Sequence, residues 1–290
     1  MQLDKARVLP IIKAALKEDI GRGDITTQPL IDKLSSAKAV IISREDCVIC
    51  GLDIAEMVMA CIDYSVRFKP NCKDGAFVGA DKDVAFIEGA TASILRAERT
   101  MLNFLTFLSG ISTRTKQYQD KAKPYDVKIM DTRKTIPLLR YLEKYAVFTG
   151  GGANHRMGLY DQVLIKDNHI YCRKGNSPTG REFSLKSIVE EARKKSRKGT
   201  VIEIEVSTLK EFSDAIEGRP DIIMLDNMSA RDIRACVEIR KLSKVRPLLE
   251  VSGGITLDTV EEYAKAGVDM ISVGELTDSV RAIDMSLDLV

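Results

Sequence analysis

From residue 126 onward the chain alternates short apolar runs with amphipathic stretches, and few architectures can accommodate that alternation. The apolar runs cover residues 127–130, 162–165, 201–206, 221–225, 247–251 and 268–273. Helix-start signals stand between them. Thr208 precedes Glu211, Ser229 precedes Asp232 and Asp258 precedes Glu261, each a short polar side chain three residues before an acid. Repeated β-α units of this kind predict a parallel sheet or barrel. The runs read as apolar on both faces, as strands buried on both sides should.

The earlier part has a different texture. Residues 4–19 predict a helix with Val8, Ile11, Ile12, Ala15 and Leu16 on one face, and a glycine-containing turn at 21–27 ends it. Strands are expected at 37–43, 47–49, 66–69, 76–78 and 84–87, with a helix at 52–62. This is the pattern of a small α/β domain with an antiparallel sheet. Residues 93–118 then predict one long helix, apolar on most sides and so buried in a core or against a partner. Arg99, at its polar head, is either a surface charge near a helix start or a side chain that reaches a neighbouring subunit's site.

A chain of 290 residues suggests two domains or one large one, here divided into 1–115 and 116–290, with the last residues free to return to the first domain. A net charge of +2 argues against a dedicated nucleic-acid binder. No apolar run approaches the ~20 residues of a membrane span, and the N-terminus lacks the apolar core of a signal peptide. A cytoplasmic protein is expected, with its six cysteines as thiols. Cys47 and Cys50 have redox or metal spacing, but no second pair or nearby histidine completes a zinc site; they read as core, with metal a distant second.

The chemistry concentrates between Asp131 and His169. Both histidines, His155 and His169, lie there with Arg133, Lys134, Arg140, Lys144, Arg156 and Lys166, around three consecutive glycines from Gly150 to Gly152. Cations beside backbone exposed by glycine suit a small ligand with several negative charges. Because these cations are interleaved with turns and the apolar runs 145–148 and 163–165, they are expected at strand ends.

In an α/β barrel the site lies at the C-terminal ends of the strands. Those ends carry Asp131 and Arg133; Lys166 and Asp167; Glu205; Asp226 and Asn227; Ser252, Gly253 and Gly254; and Gly274 and Glu275. Helix capping accounts for one or two of these, but not for Arg133, Lys134, Lys166 and Glu205. The glycine turns after the last two strands suit a phosphate. Glu205 and Asp226, one strand apart, suit Mg²⁺ held partly through water, or the hydroxyls of a sugar. The remaining cations exceed what one phosphate needs and imply further anionic groups.

These stretches resemble quinolinate phosphoribosyltransferases. The matching segments are EDIGRGDITT, AERTMLNFLTFLSGIST, DTRKTIPLLRYLEKYAV, GGGANHRMGLYDQVLIKDNH, EIEVSTL, IIMLDNMS, LEVSGGIT and GVDMISVGELT, in family order and nearly end to end. Leu138 stands where the family usually has glycine, and Ser112 where it usually has alanine. The resemblance implies an N-terminal α/β sandwich and a C-terminal incomplete (β/α) barrel, a homodimer or hexamer of dimers, and Mg²⁺. It implies that quinolinate and phosphoribosyl pyrophosphate give nicotinate mononucleotide, pyrophosphate and CO2. Carried over by position, Arg99, Arg133, His155, Arg156 and Lys166 would surround the quinolinate carboxylates. Lys134 and Lys166 would face the pyrophosphate, with Thr132 beside them. Glu205 and Asp226 would hold the ribose hydroxyls and the metal. Ser252, Gly253, Gly254, Val273 and Gly274 would hold the 5-phosphate. Lys134, Lys166, Glu205 and Asp226 are the catalytic candidates. The rivals are a same-fold enzyme acting on another base, a non-catalytic phosphate-binding barrel and, third, a nucleic-acid module.

Overall fold

The computed structural model describes residues 1–175 and 184–290. In chain order it runs α1 (Lys5–Ile20), α2 (Thr27–Leu30), β1 (Ser36–Ser43), β2 (Cys47–Val48), α3 (Leu52–Ile62), β3 (Arg67–Pro70), β4 (Phe77–Val78), β5 (Lys82–Ala90) and α4 (Thr91–Ala122). It continues with β6 (Lys128–Met130), α5 (Arg140–Thr149), β7 (Val163–Ile165), α6 (Asp167–Gly175), α7 (Leu185–Lys195), β8 (Ile202–Val206), α8 (Leu209–Glu217) and β9 (Ile222–Asp226). The last elements are α9 (Ala230–Leu242), β10 (Leu248–Ser252), α10 (Val260–Lys265), β11 (Met270–Ser272), α11 (Glu275–Asp278) and β12 (Met285–Leu289).

These elements form two compact units. The first comprises residues 1–116, 135–151 and 276–290; the second comprises 117–134 and 152–275. Residues 135–151, which carry α5, and 276–290, which carry β12, belong to the first unit.

In the first unit, α1 begins where the Asp4 carboxylate accepts from the Ala6 and Arg7 N–H groups, and buries Val8, Ile12 and Leu16 at four-residue spacing. The sheet is antiparallel in the order β12-β1-β5-β3, with a register shift at Ile41/Ile42. The long helix α4 buries Ile94, Ala97, Met101, Leu102, Leu105, Leu108 and Ile111. Its hydroxyls satisfy the short strand β2 and the residues after it. Thr113 Oγ1 accepts from the Val48 N–H at 2.9 Å, and Ser109 Oγ from the Cys50 N–H at 3.0 Å. Cys47 and Cys50 are buried, and burial pushes both thiols up. They are core groups held protonated and unreactive.

Residues 145–148, read as part of a strand-and-turn pattern, are helical instead. α5 buries Tyr141, Leu142, Tyr145, Ala146 and Val147, and a short apolar run does not distinguish a strand from a buried helix. Arg140 and Lys144 consequently ride on a helix of the first unit rather than at strand ends, and Lys144 is wholly buried. Gly150 serves packing here. A Cβ there would overlap the Ser112 carbonyl, and Ser112 Oγ donates to the Ala146 carbonyl at 2.7 Å.

The second unit carries a parallel sheet that has six strands among the described residues, in the order β6-β11-β10-β9-β8-β7. No pairing joins β6 to β7 among the described residues, so the barrel does not close. Thr208 and Ser229 cap α8 and α9 through the N–H groups of Glu211 and Asp232, as the spacing predicts. Asp258 does not cap α10. Thr259 holds the N-cap position without a side-chain cap bond, and its hydroxyl bonds the Thr256 N–H at 3.0 Å.

Candidate active site

Pairing register sets which side chains share the mouth of the sheet. Glu205 pairs with Met224, Glu250 with Met224, Ser252 with Asp226, and Leu164 with Glu203. Partners in a parallel ladder point the same way and every second residue shares a face. Glu203, Glu205, Asp226, Glu250 and Ser252 thus lie on one face, with the acidic ends of β8 and β9 beside the serine that ends β10.

At the mouth, Lys166 Nζ lies 3.1 Å from Glu205 Oε2. Burial pushes the Glu205 carboxyl up, Lys166 pulls it down, and the charges of Asp226 and Asp167 push it up again. Asp226 Oδ2 accepts from the Asn227 amide at 2.8 Å. Glu205 and Asp226 line a cavity of about 320 Å³ together with Asp167, Asn168, Tyr171 and Ser207. Below it, the Lys166 N–H donates to His169 Nδ1 at 2.9 Å, so His169 serves the backbone of the β7–α6 turn.

The turn after β10 is shaped by glycine. Gly253 and Gly254 take φ values of +96° and +62°, and a Cβ at Gly253 would overlap the Asn227 side-chain amide. Gly274 lies directly between β11 and α11. At Val273 the backbone N–H donates to the Met130 carbonyl at 3.0 Å and the residue is buried.

Arg133 follows β6 and is exposed, and the Lys134 N–H closes a turn on Thr132 Oγ1 at 3.0 Å. Arg156 is buried and its guanidinium is held below its usual range, first by burial and next by the charge of Arg133. Two guanidinium groups that feel each other form a place where an anion is favoured. Arg99 is exposed on α4 of the first unit, its side chain 65% accessible.

His155 is turned inward rather than toward the mouth. Its Nε2 lies 3.0 Å from Glu203 Oε2 and 3.5 Å from Glu250 Oε2, and both glutamates are fully buried. Its Nδ1 accepts from the Arg156 N–H at 2.8 Å. The two carboxylates and their hydrogen bonds push the imidazole up to about 10 in spite of its burial. Burial and the neighbouring Glu250 charge raise the Glu203 carboxyl to about 7.

Glu203 and Glu250 were not among the residues singled out from the sequence. Their signal was present as carboxylates inside otherwise apolar strands, in Ile-Glu-Ile-Glu-Val and Leu-Leu-Glu-Val-Ser. These strands are not apolar on both faces; their inward face carries acid.

Two family models match this chain. Quinolinate phosphoribosyl transferase, N-terminal domain, matches residues 24–109, and quinolinate phosphoribosyl transferase, C-terminal domain, matches residues 111–288. The chain belongs to the quinolinate phosphoribosyltransferase family. It is 42% identical over 292 residues to a probable nicotinate-nucleotide pyrophosphorylase [carboxylating] of Methanocaldococcus jannaschii, covering 99% of this chain and 98% of that protein. It is 37% identical over 295 residues to the nicotinate-nucleotide pyrophosphorylase [carboxylating] of Mycobacterium leprae, covering 99% and 98%. The solved nicotinate-nucleotide pyrophosphorylase from Francisella tularensis superposes with a TM-score of 0.90 at 39% identity, covering 100% and 98% of the two chains. This chain has an antiparallel sheet unit and an open parallel-sheet unit.

Proposed function

We propose that the chain transfers phosphoribosyl from phosphoribosyl pyrophosphate to quinolinate with loss of CO2, giving nicotinate mononucleotide and pyrophosphate in NAD biosynthesis. The supporting observation is the Lys166–Glu205 pair beside Asp226 at neighbouring strand ends, next to a double-glycine turn. Together they supply a cation, two acids and exposed backbone at one mouth. Each suits a different part of a sugar that carries a phosphate and a pyrophosphate.

Arg133, Lys134, Arg156 and Lys166 bind the quinolinate carboxylates and the pyrophosphate. Lys134 and Lys166 stabilise charge on the departing pyrophosphate as the anomeric carbon becomes oxocarbenium-like. Glu205 and Asp226 hold the ribose hydroxyls, and Ser252, Gly253, Gly254 and Gly274 the 5-phosphate. The pyridine nitrogen attacks and becomes cationic; the adjacent carboxylate then leaves as CO2, its bonding pair staying on the ring carbon beside that cation until a proton from water takes it up. Positioning carries the reaction, and no covalent nucleophile is needed.

Mg²⁺ fits the donor set. Glu205 and Asp226 are oxygen donors lining one cavity, and each other's charge is relieved by a hard divalent cation. When bound, the ion neutralises pyrophosphate charge.

The enzyme acts as a dimer at least, with Arg99 offered to the second copy, a role its exposure permits. It is cytoplasmic, in keeping with its six free thiols; among the described residues no helix is long and apolar enough to cross a membrane.

The test is incubation with phosphoribosyl pyrophosphate, Mg²⁺ and either quinolinate or nicotinate. Pyrophosphate release with quinolinate alone supports the proposal. Release with nicotinate alone identifies a same-fold enzyme for another base, and binding without release identifies a scaffold.

A further inference from the structure

The mouth of the parallel sheet draws an acid from β9 and a glycine turn from β10. Asp226 pairs with Ser252 in the ladder, and Gly253 comes next in the chain. Asn227, which follows the acid, touches both.

Asn227 leaves the strand at φ +52°, a left-handed conformation that few residues other than glycine adopt, asparagine among the more tolerant. It is exposed, so burial of its side chain does not impose that backbone. In an ordinary turn an asparagine side chain bonds its own backbone two residues on. Here it turns back to the preceding residue, and Nδ2 donates to Asp226 Oδ2 at 2.8 Å. The Asn227 backbone N–H donates to the Ser252 carbonyl at 2.9 Å. Behind the amide stands Gly253, where a Cβ would overlap Asn227 Oδ1 and Cγ. The missing side chain of the glycine is therefore the seat of the amide.

Asp226 needs such a restraint. Its charge pushes against that of Glu205, and both acids line one cavity. A carboxylate free to rotate would swing away from a like charge. A donated hydrogen bond from a fixed amide opposes that swing and leaves Oδ1 for other partners.

We propose that Asn227 is a positioning residue: backed by Gly253, its amide fixes the Asp226 carboxylate in the orientation that receives the ribose hydroxyls of the donor. The proposal rests on the phosphoribosyl reading of this mouth. Asn227 touches no substrate on this account, and its effect reaches the donor through Asp226.

The geometry predicts a distinct pattern. Asn227→Gly deletes the amide and accepts the left-handed backbone without strain, so thermal stability should be unchanged or higher. Affinity for phosphoribosyl pyrophosphate should fall on the order of tenfold, as loss of a hydrogen bond to a charged group does. Affinity for quinolinate should stay within about twofold. Asn227→Asp keeps the size of the side chain but sets a like charge against Asp226, and should weaken donor binding at least as much. In an Asp226→Ala background either change should cost less than about twofold, because the partner is gone.

The experiment is titration calorimetry of phosphoribosyl pyrophosphate and of quinolinate, without Mg²⁺ so that only the protein's own groups are compared, beside a melting curve for each variant. A wild-type protein that binds no phosphoribosyl pyrophosphate, with or without Mg²⁺, would sink the underlying reading and this proposal with it. With wild-type binding present, a selective loss of donor affinity that vanishes in the Asp226→Ala background supports the proposal. Unchanged donor affinity in a folded Asn227 variant overturns it alone. So does equal weakening of both ligands, or an equal loss in both backgrounds, which would mean that Asn227 meets the ligand itself. If Asn227→Gly fails to fold, Asn227→Asp decides by the same comparisons.

Discussion

Lys166 and Glu205 face each other across β7 and β8, Nζ to Oε2 at 3.1 Å, at the end of the parallel sheet. The lysine side chain is 44% accessible and the glutamate 12%, so the pair is presented to the mouth rather than sealed in the core. A partly exposed pair contributes about 0–1 kcal/mol to stability, and its importance must then lie in the charge it displays. Lys166→Ala should lower kcat/KM at least tenfold while shifting stability by no more than about 1 kcal/mol. Steady-state kinetics beside a urea denaturation curve checks both halves.

The Gly253–Asn227 contact makes a second prediction. Gly253 has φ +96° and no room for a Cβ against the Asn227 amide, which also holds Asp226. Gly253→Ala should cost roughly 1–3 kcal/mol of stability from backbone strain. It should also weaken binding of phosphoribosyl pyrophosphate more than that of quinolinate. Titration calorimetry with each ligand separates the two effects.

Much of this site was legible in the sequence because strand ends announce themselves. Lys166, Glu205, Asp226 and Ser252 each follow an apolar run, and the structure sets all four at the ends of parallel strands. His155 was harder. Residue type says that an imidazole can bind an anion, but only the fold shows its ring nitrogens turned to Glu203, Glu250 and the Arg156 N–H. The two glutamates were hidden for the opposite reason: in a run such as Ile202–Val206 an inward acid looks like a break in an apolar pattern. α5 was misread because its apolar residues are contiguous, and contiguity carries no period.

Leu138 gives a prediction about stability alone. It sits at φ +70° and is 88% exposed. A left-handed conformation costs a non-glycine residue about 1–2 kcal/mol, and glycine's extra freedom in the unfolded chain offsets about 0.5–1 kcal/mol of that. Leu138→Gly should therefore stabilise the protein by up to about 1 kcal/mol, a rise of a few degrees in Tm by scanning calorimetry.

Glu143 links stability to pH. It is fully buried on α5, and burial pushes its carboxyl up to about 7, against the pull of the Ile136 N–H and Arg140. In the unfolded chain it titrates near ~4.3. Between those values the folded state holds a proton that the unfolded state has lost, so unfolding free energy falls as pH rises. The stabilisation is complete below the unfolded value and gone above about 7, with a slope of at most ~1.4 kcal/mol per pH unit. Glu143→Gln should flatten that part of the profile and be the more stable protein at pH 8. Urea midpoints measured from pH 4 to 8 check the sign.

The central claim is that one polar mouth joins a phosphoribosyl donor to a pyridine dicarboxylate and expels a carboxylate. It is tested most directly with quinolinate labelled in the carboxyl group adjacent to the ring nitrogen, supplied with phosphoribosyl pyrophosphate and Mg²⁺. The account predicts labelled CO2 and nicotinate mononucleotide in equal amounts, neither forming without the donor. Nucleotide that retains the label, or no turnover by the folded protein, would contradict it.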